Sequence, residues 1–210
     1  MAYENTTEVL SEDSSKKVQT IIKRYKEAEA LKDNWKDKFE EAYEYCLPQR
    51  ESFYEESAGQ KRTDKIFDET AVVGIQEFAS RLQSGIVPTF ARWADLKAGI
   101  EIPQGDTEQV NASLDAITQY VFEVISNSNF NSEVHESFMD LAVGTGVLLV
   151  EEGDAINPIK FNAIPLPHVC LMNGPTNKID AVYRKRQCKL SEIEVMYPKA
   201  KVPEYIMSTM

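Results

Sequence analysis

A chain of 210 residues, 42% hydrophobic and 27% charged, is long enough to bury one sizeable core or two small ones. Its formal net charge of −11 argues against a protein that wraps nucleic acid and neutralises its phosphates, although an acidic surface suits one past which nucleic acid must slide. There is no run of about eighteen apolar residues, so no helical membrane span is expected. Three cysteines, Cys46, Cys170 and Cys188, stand at unrelated spacings and read as reduced thiols of a protein assembled in the cytosol.

Residues 1–14 carry Glu4, Glu8, Glu12 and Asp13 with no apolar block. They read as a flexible acidic tail and not as a signal peptide. Ser14 or Ser15 is expected to cap one long helix running to about Cys46, with Pro48 just beyond. Its apolar stripe is Val18, Ile21, Tyr25, Ala28, Leu31, Trp35, Phe39, Ala42 and Cys46. Such a helix would span about 45 Å, a strut long enough to reach a neighbour. Residues 49–63 form a charged loop. The cleanest helical pattern then runs from Asp64 to about residue 87, with Phe67, Ala71, Ile75, Phe78, Leu82 and Ile86 on one stripe. Asp64, Asp68 and Glu69 suit its positive end, and Gly85 and Pro88 end it. Trp35, Phe78, Leu82 and Trp93 are the expected buried anchors.

A strand is expected over 92–98, then a turn through Pro103 and Gly105. Thr107 can cap a helix whose stripe is Val110, Leu114, Ile117, Val121 and Val124, broken by the asparagines at 127–131. A further helix carries Val134, Phe138, Leu141 and Ala142 and ends at Gly144-Thr145-Gly146. From there the pattern turns to β, with short strands at 147–150, 159–164, 169–172 and 179–184 and turns at Gly153-Asp154 and Asn173-Gly174-Pro175. Ser191 and Glu194 sit at capping-box spacing before a last short helix that ends at Pro198. The class is α+β: long N-terminal helices followed by a small antiparallel sheet.

Each constellation with chemical potential has a structural reading beside it. Gly144-Thr145-Gly146 lies between helix and strand, the reverse of the order a phosphate cradle needs, and reads as a tight turn. His168, Cys170 and Cys188 could supply three zinc ligands, but the paired short spacings of a structural site are missing. His135 stands between Glu133 and Glu136 with no nucleophile paired to it in sequence. No catalytic residue, metal ligand or cofactor site is assigned. Arg184, Lys185 and Arg186, with Lys189, form the one dense basic cluster. It reads as the charged end of an edge strand or as a contact with phosphate or an acidic neighbouring subunit. Arg50, Lys61, Arg62 and Lys65 are candidates for salt bridges between subunits.

Four segments carry a family resemblance: WKDKFEEAYEYCLPQR at 35–50, IFDETAVVGIQEFASRLQSGIVPTFARW at 66–93, SNFNSEVHESFMDLAVGTGVLLVEE at 128–152, and FNAIPLPHVCLMNGPTNKIDAVYRK at 161–185. In this order they resemble the N-terminal part of the head-to-tail connector (portal) proteins of short-tailed, podovirus-type bacteriophages, over roughly residues 20–198. The resemblance implies a subunit of a homo-oligomeric ring, usually twelve copies, at one vertex of the virion. Double-stranded DNA would be packaged into the capsid and ejected from it through that ring. It implies terminase, tail adaptor, capsid and scaffold proteins as partners, assembly in the host cytoplasm, no membrane, no cofactor, and no catalysis by the portal itself. Residues 15–210 would be a wing-like region. Family members are longer, so the stem, clip and crown would lie beyond Met210, and the chain would be a fragment or a shortened variant. The rival readings are a soluble α+β enzyme domain with a site near His135 or His168, and a regulatory module whose first helix pairs with a partner helix.

Overall fold

The computed structural model describes residues 12–54, 63, 66–101, 103 and 105–198. Lys61, Arg62, Asp64, Lys65 and most of the expected acidic tail lie outside these residues. The elements run α1 (Glu12–Asp33), α2 (Lys36–Cys46), α3 (Thr70–Ile86), α4 (Thr107–Asn127), α5 (Phe130–Val143), β1 (Leu148–Glu152), β2 (Ile159–Ala163), a 3₁₀ turn (Leu166–His168), β3 (Val169–Asn173), β4 (Ile179–Arg184) and α6 (Leu190–Met196). The α+β class holds. The strands form two separate antiparallel pairs, β1 with β2 and β3 with β4, instead of one sheet.

Two apolar clusters hold the helices and strands together. In one, Tyr43 of α2, Leu47, Ile75 of α3 and Leu166 are buried, with Phe39, Phe53, Met139 and Val143 against them. In the other, Val87, Phe130 and Val134 of α5 and Phe161 of β2 are buried, with Ile125, Phe138, Leu148 and Ile159 around them. Helix α5 contributes to both, α3 gives Ile75 to the first and its C-cap Val87 to the second, and the two helices pack along each other. Between them Gln83 is a polar bridge, its Nε2 donating to Asn131 O at 3.0 Å and its Oε1 lying 3.0 Å from His135 Nδ1.

The expected long helix is broken in two. Asp33 and Asn34 are poor helix formers, and Trp35 N donates to Lys32 O at 2.8 Å, a tightened final turn. Helix α1 lies over β3 and β4, with Tyr25 edge-on to Tyr183 at 6.0 Å. Lys32 Nζ donates to Leu166 O at 2.9 Å and Pro167 O at 2.6 Å, and burial lowers the pKa of its ammonium. Helix α2 instead directs Tyr43 into the first cluster. One straight helix could not serve both surfaces. Helix α1 also begins at Glu12, so Ser14 and Ser15 lie inside it and not at its first position.

Helix α3 starts at Thr70, after the residues expected in its first turns. Asp68 Oδ1 accepts from Thr70 N at 2.8 Å and Thr70 Oγ1 at 2.6 Å, bonds that pull the Asp68 carboxyl below its ordinary pKa. Its buried face is Ile75 and Ala79, with Val72 and Leu82 half-buried. The expected stripe is therefore rotated: Phe67 is 96% and Phe78 42% exposed. Of the expected anchors, Trp35 is 61% exposed, Leu82 half-buried, and Trp93 exposed on one side while it stacks on Phe130 and meets Phe122 edge-on. Residues 92–98 form no strand; they are an extended segment alongside α4, held by Leu96 N to Thr118 Oγ1 at 3.3 Å and Ala98 N to Asn111 Oδ1 at 2.8 Å. Helix α4 likewise buries Thr118, while Ile117 and Val121 face outward.

The β turns follow their chemistry. Asp154 Oδ1 accepts from Ile156 N and Asn157 N at 2.9 and 2.7 Å, closing the β1–β2 hairpin. Asn177, at φ 57°, takes the left-handed corner between β3 and β4, a conformation asparagine tolerates. Gly146 is required by close approach, because a Cβ there would lie 2.4 Å from Ser137 O. The Gly144-Thr145-Gly146 segment is the tight helix-to-strand turn expected of it. In α6, Ser191 falls within the helix, which begins at Leu190 with no side-chain cap.

Candidate functional site

The most strongly organised polar group is a carboxylate on the buried face of α5. Asp140 is fully buried. Tyr43 Oη donates to its Oδ1 at 2.6 Å, and Arg50 Nε lies 3.7 Å from the same oxygen. Its Oδ2 accepts no hydrogen bond from the described residues. Burial raises the Asp140 pKa, against the lowering pull of Tyr43 and Arg50, and the Tyr43 phenol is pushed up by the same burial and by Asp140. Arg50 completes the group, with Nη2 at 2.5 Å from Glu136 Oε2 and 3.0 Å from Glu136 O. The network ties the segment after α2 to α5, so Arg50 makes ionic bonds within the chain.

The next residue serves a different element. Glu51 Oε2 lies 2.5 Å from His168 Nε2, and both line a groove of about 360 Å³ with Ile164, Pro165, Arg184, Lys185 and Arg186. The basic cluster thus sits where β4 ends. Lys185 Nζ is 3.8 Å from Glu29 and Arg186 Nη2 3.5 Å from Glu192; all three basic side chains are exposed. Cys170 is buried in β3, its thiol pKa raised by desolvation. Around His135 the carboxylates diverge: Glu133 accepts from Ala163 N at 2.7 Å, Glu136 pairs with Arg50, and the imidazole meets Gln83. Each has a structural bond, and no reacting centre forms between them.

Sequence reasoning missed Asp140. The signal was its place on the stripe of Phe130, Val134 and Ser137, where a carboxylate must be paired to be buried. It also missed the closure of β2. Asn129 Oδ1 accepts from Phe161 N at 2.9 Å and its Nδ2 donates to Phe161 O at 2.7 Å, so one amide side chain stands in for a neighbouring strand.

The site is thus one of clamps, strand edges and exposed charge. The model of the bacteriophage head to tail connecting protein family matches residues 18–210, and the chain belongs to that family. It is also similar to the "Probable portal protein" of Bordetella phage BPP-1, at 21% identity over 204 residues, 95% of this chain and 36% of that protein. The chain therefore spans about a third of the length of the curated relative it matches.

Proposed function

We propose that residues 15–210 are the wing-like region of a phage portal subunit, part of a ring of about twelve copies through which double-stranded DNA enters and leaves the capsid. The observation that carries this reading is the family match over 18–210 together with a portal-named relative aligned along 95% of the chain. The role is structural: the helices and clamps hold a rigid wall, and the acidic surface (net charge −11) keeps DNA from adhering. Terminase, tail adaptors, capsid and scaffold are its partners, and the virion vertex, after assembly in the host cytoplasm, is its place. Arg184, Lys185 and Arg186 are contact residues in this reading. Lys61 and Arg62 are proposed on the sequence alone.

Gold-labelled antibody against this chain on intact virions tests it. Label at a single vertex, at the tail, is the expected result. Label spread over the whole shell, or absent from virions, would overturn the portal assignment.

A further inference from the structure

The two strand pairs have outer edges that are treated differently. In β1–β2, the bonds Ile164 N to Val147 O and Gly153 N to Pro158 O and the register Val150↔Phe161 set the alternation. The backbone groups of Leu148, Val150 and Glu152 point away from β2, and those of Phe161 and Ala163 point away from β1. On the β2 side, Asn129 takes both outward groups of Phe161 and Glu133 takes the Ala163 N–H. On the β1 side no described residue bonds them. In β3–β4, the bond Lys185 N to His168 O and the register Leu171↔Val182 leave the backbone groups of Val182 and Arg184 pointing outward, again with no described partner. Val150 and Val182 on these two edges are 58% and 55% exposed.

The open edges carry opposite charge. Strand β1 ends in Glu151 and Glu152, with Asp154 in the turn; β4 ends in Arg184, followed by Lys185 and Arg186. We infer that the β1 edge of one copy pairs with the β4 edge of the next, strands parallel, as a contact between copies of this chain. Parallel alignment sets the acidic end of β1 beside the basic end of β4. Antiparallel alignment would set Glu152 beside Asp180 and lose that match. Because the β1 and β4 edges are different surfaces of one copy, the contact is head-to-tail, the kind that closes a ring. This deepens the portal reading and rests on it for the identity of the partner. Chemically, the contact is β-augmentation, with main-chain bonds for affinity and terminal charges for register.

The test is self-association of the 210-residue chain by sedimentation equilibrium. Val150→Pro removes an outward N–H from an edge strand, where proline is tolerated. Reversal of Glu151 and Glu152 to Lys, and separately of Arg184 and Arg186 to Glu, changes the terminal charges and leaves the edge N–H and C=O groups in place, the second pair also giving up the exposed Arg186–Glu192 contact. The wild type is expected to associate below about 1 mM, and each variant to associate about tenfold or more weakly, with unchanged circular dichroism. An equimolar mixture of the two charge-reversed chains is expected to recover association, since each one's β1 then matches the other's β4. A wild type that stays monomeric to about 1 mM, variants that associate like wild type, or a mixture that does not recover would overturn the pairing. None of these results bears on single-vertex labelling of virions, so the two readings fail separately.

Discussion

Tyr43→Phe deletes one oxygen from the centre of the fold. What is lost is the 2.6 Å bond to Asp140 Oδ1, donated to a fully buried group whose remaining cationic neighbour, Arg50 Nε, is 3.7 Å away. A hydrogen bond to a charged group contributes about 1.5–3 kcal/mol, with the upper half expected where the acceptor is left buried and poorly paired. For a chain of this size that lowers Tm by about 3–12 °C. The pH dependence makes the test specific. The folded pKa of Asp140 is raised, so the native state holds its proton more tightly than the unfolded chain. The stabilisation is complete below the ordinary carboxylate pKa and is lost as pH rises through the raised value. Removing Tyr43, which lowers that pKa, moves the loss to higher pH, and the mutant's deficit is larger at neutral pH than at about pH 4. Asp140→Asn keeps the tyrosine bond and removes the charge, so its urea stability should lack this slope. Urea denaturation of wild type, both single mutants and the double mutant at the two pH values closes the cycle. A Tyr43→Phe deficit below about 0.5 kcal/mol, or one equal at both pH values, would refute the argument.

Other substitutions separate the packed faces from the outward ones. Gly146→Ala forces a methyl to within 2.4 Å of Ser137 O and should cost about 1–3 kcal/mol. Gly74→Ala, with nothing within 4 Å of the added carbon, should stabilise α3 by about 0.5–1 kcal/mol; thermal denaturation checks both signs. Asn129→Ala leaves both Phe161 backbone groups without their partner, so amide exchange at Phe161 should accelerate and stability fall by about 1–3 kcal/mol. Ile75→Ala should cost about 2–5 kcal/mol, and Phe78→Ala, on the outward side, less than about 1 kcal/mol. Equal losses for this pair would mean that the buried side of α3 is misassigned.

The strands were legible to within about two residues because their signal is local: alternation or a short apolar run, closed by Gly-Asp or Asn-Gly-Pro. The α+β order followed from that switch of period at Gly144-Thr145-Gly146. Residues 92–98 failed as a strand because strand propensity requires a pairing edge, and here Asn111 and Thr118 of α4 take the backbone groups instead. The single long helix failed at Asp33-Asn34, where continuity of the apolar stripe outweighed two residues of poor propensity. Asp140 was illegible for the opposite reason: one carboxylate among many carries no local mark. Its pairing depends on Tyr43 and Arg50, 97 and 90 positions away in the chain.

The helix phases carry a different lesson. Periodicity over residues 64–87 picked out the buried Ile75, but with it Phe67, Phe78 and Ile86, and in α4 Ile117 and Val121, all five of which face outward. In α1 the same rule picked Val18, Ile21 and Leu31, also exposed. A stripe at 3.6-residue spacing reports that a helix has an apolar face, not which chain covers it. A monomer seldom leaves large apolar patches open. In a ring-forming wall the same spacing rule governs burial within a subunit and burial between subunits. On the portal reading, then, the misassigned anchors are not failures of the periodic signal. Phe78 and Ile86 should be nearly neutral to stability in the isolated chain and costly to assembly. Ile75 and Ala79 should show the reverse order.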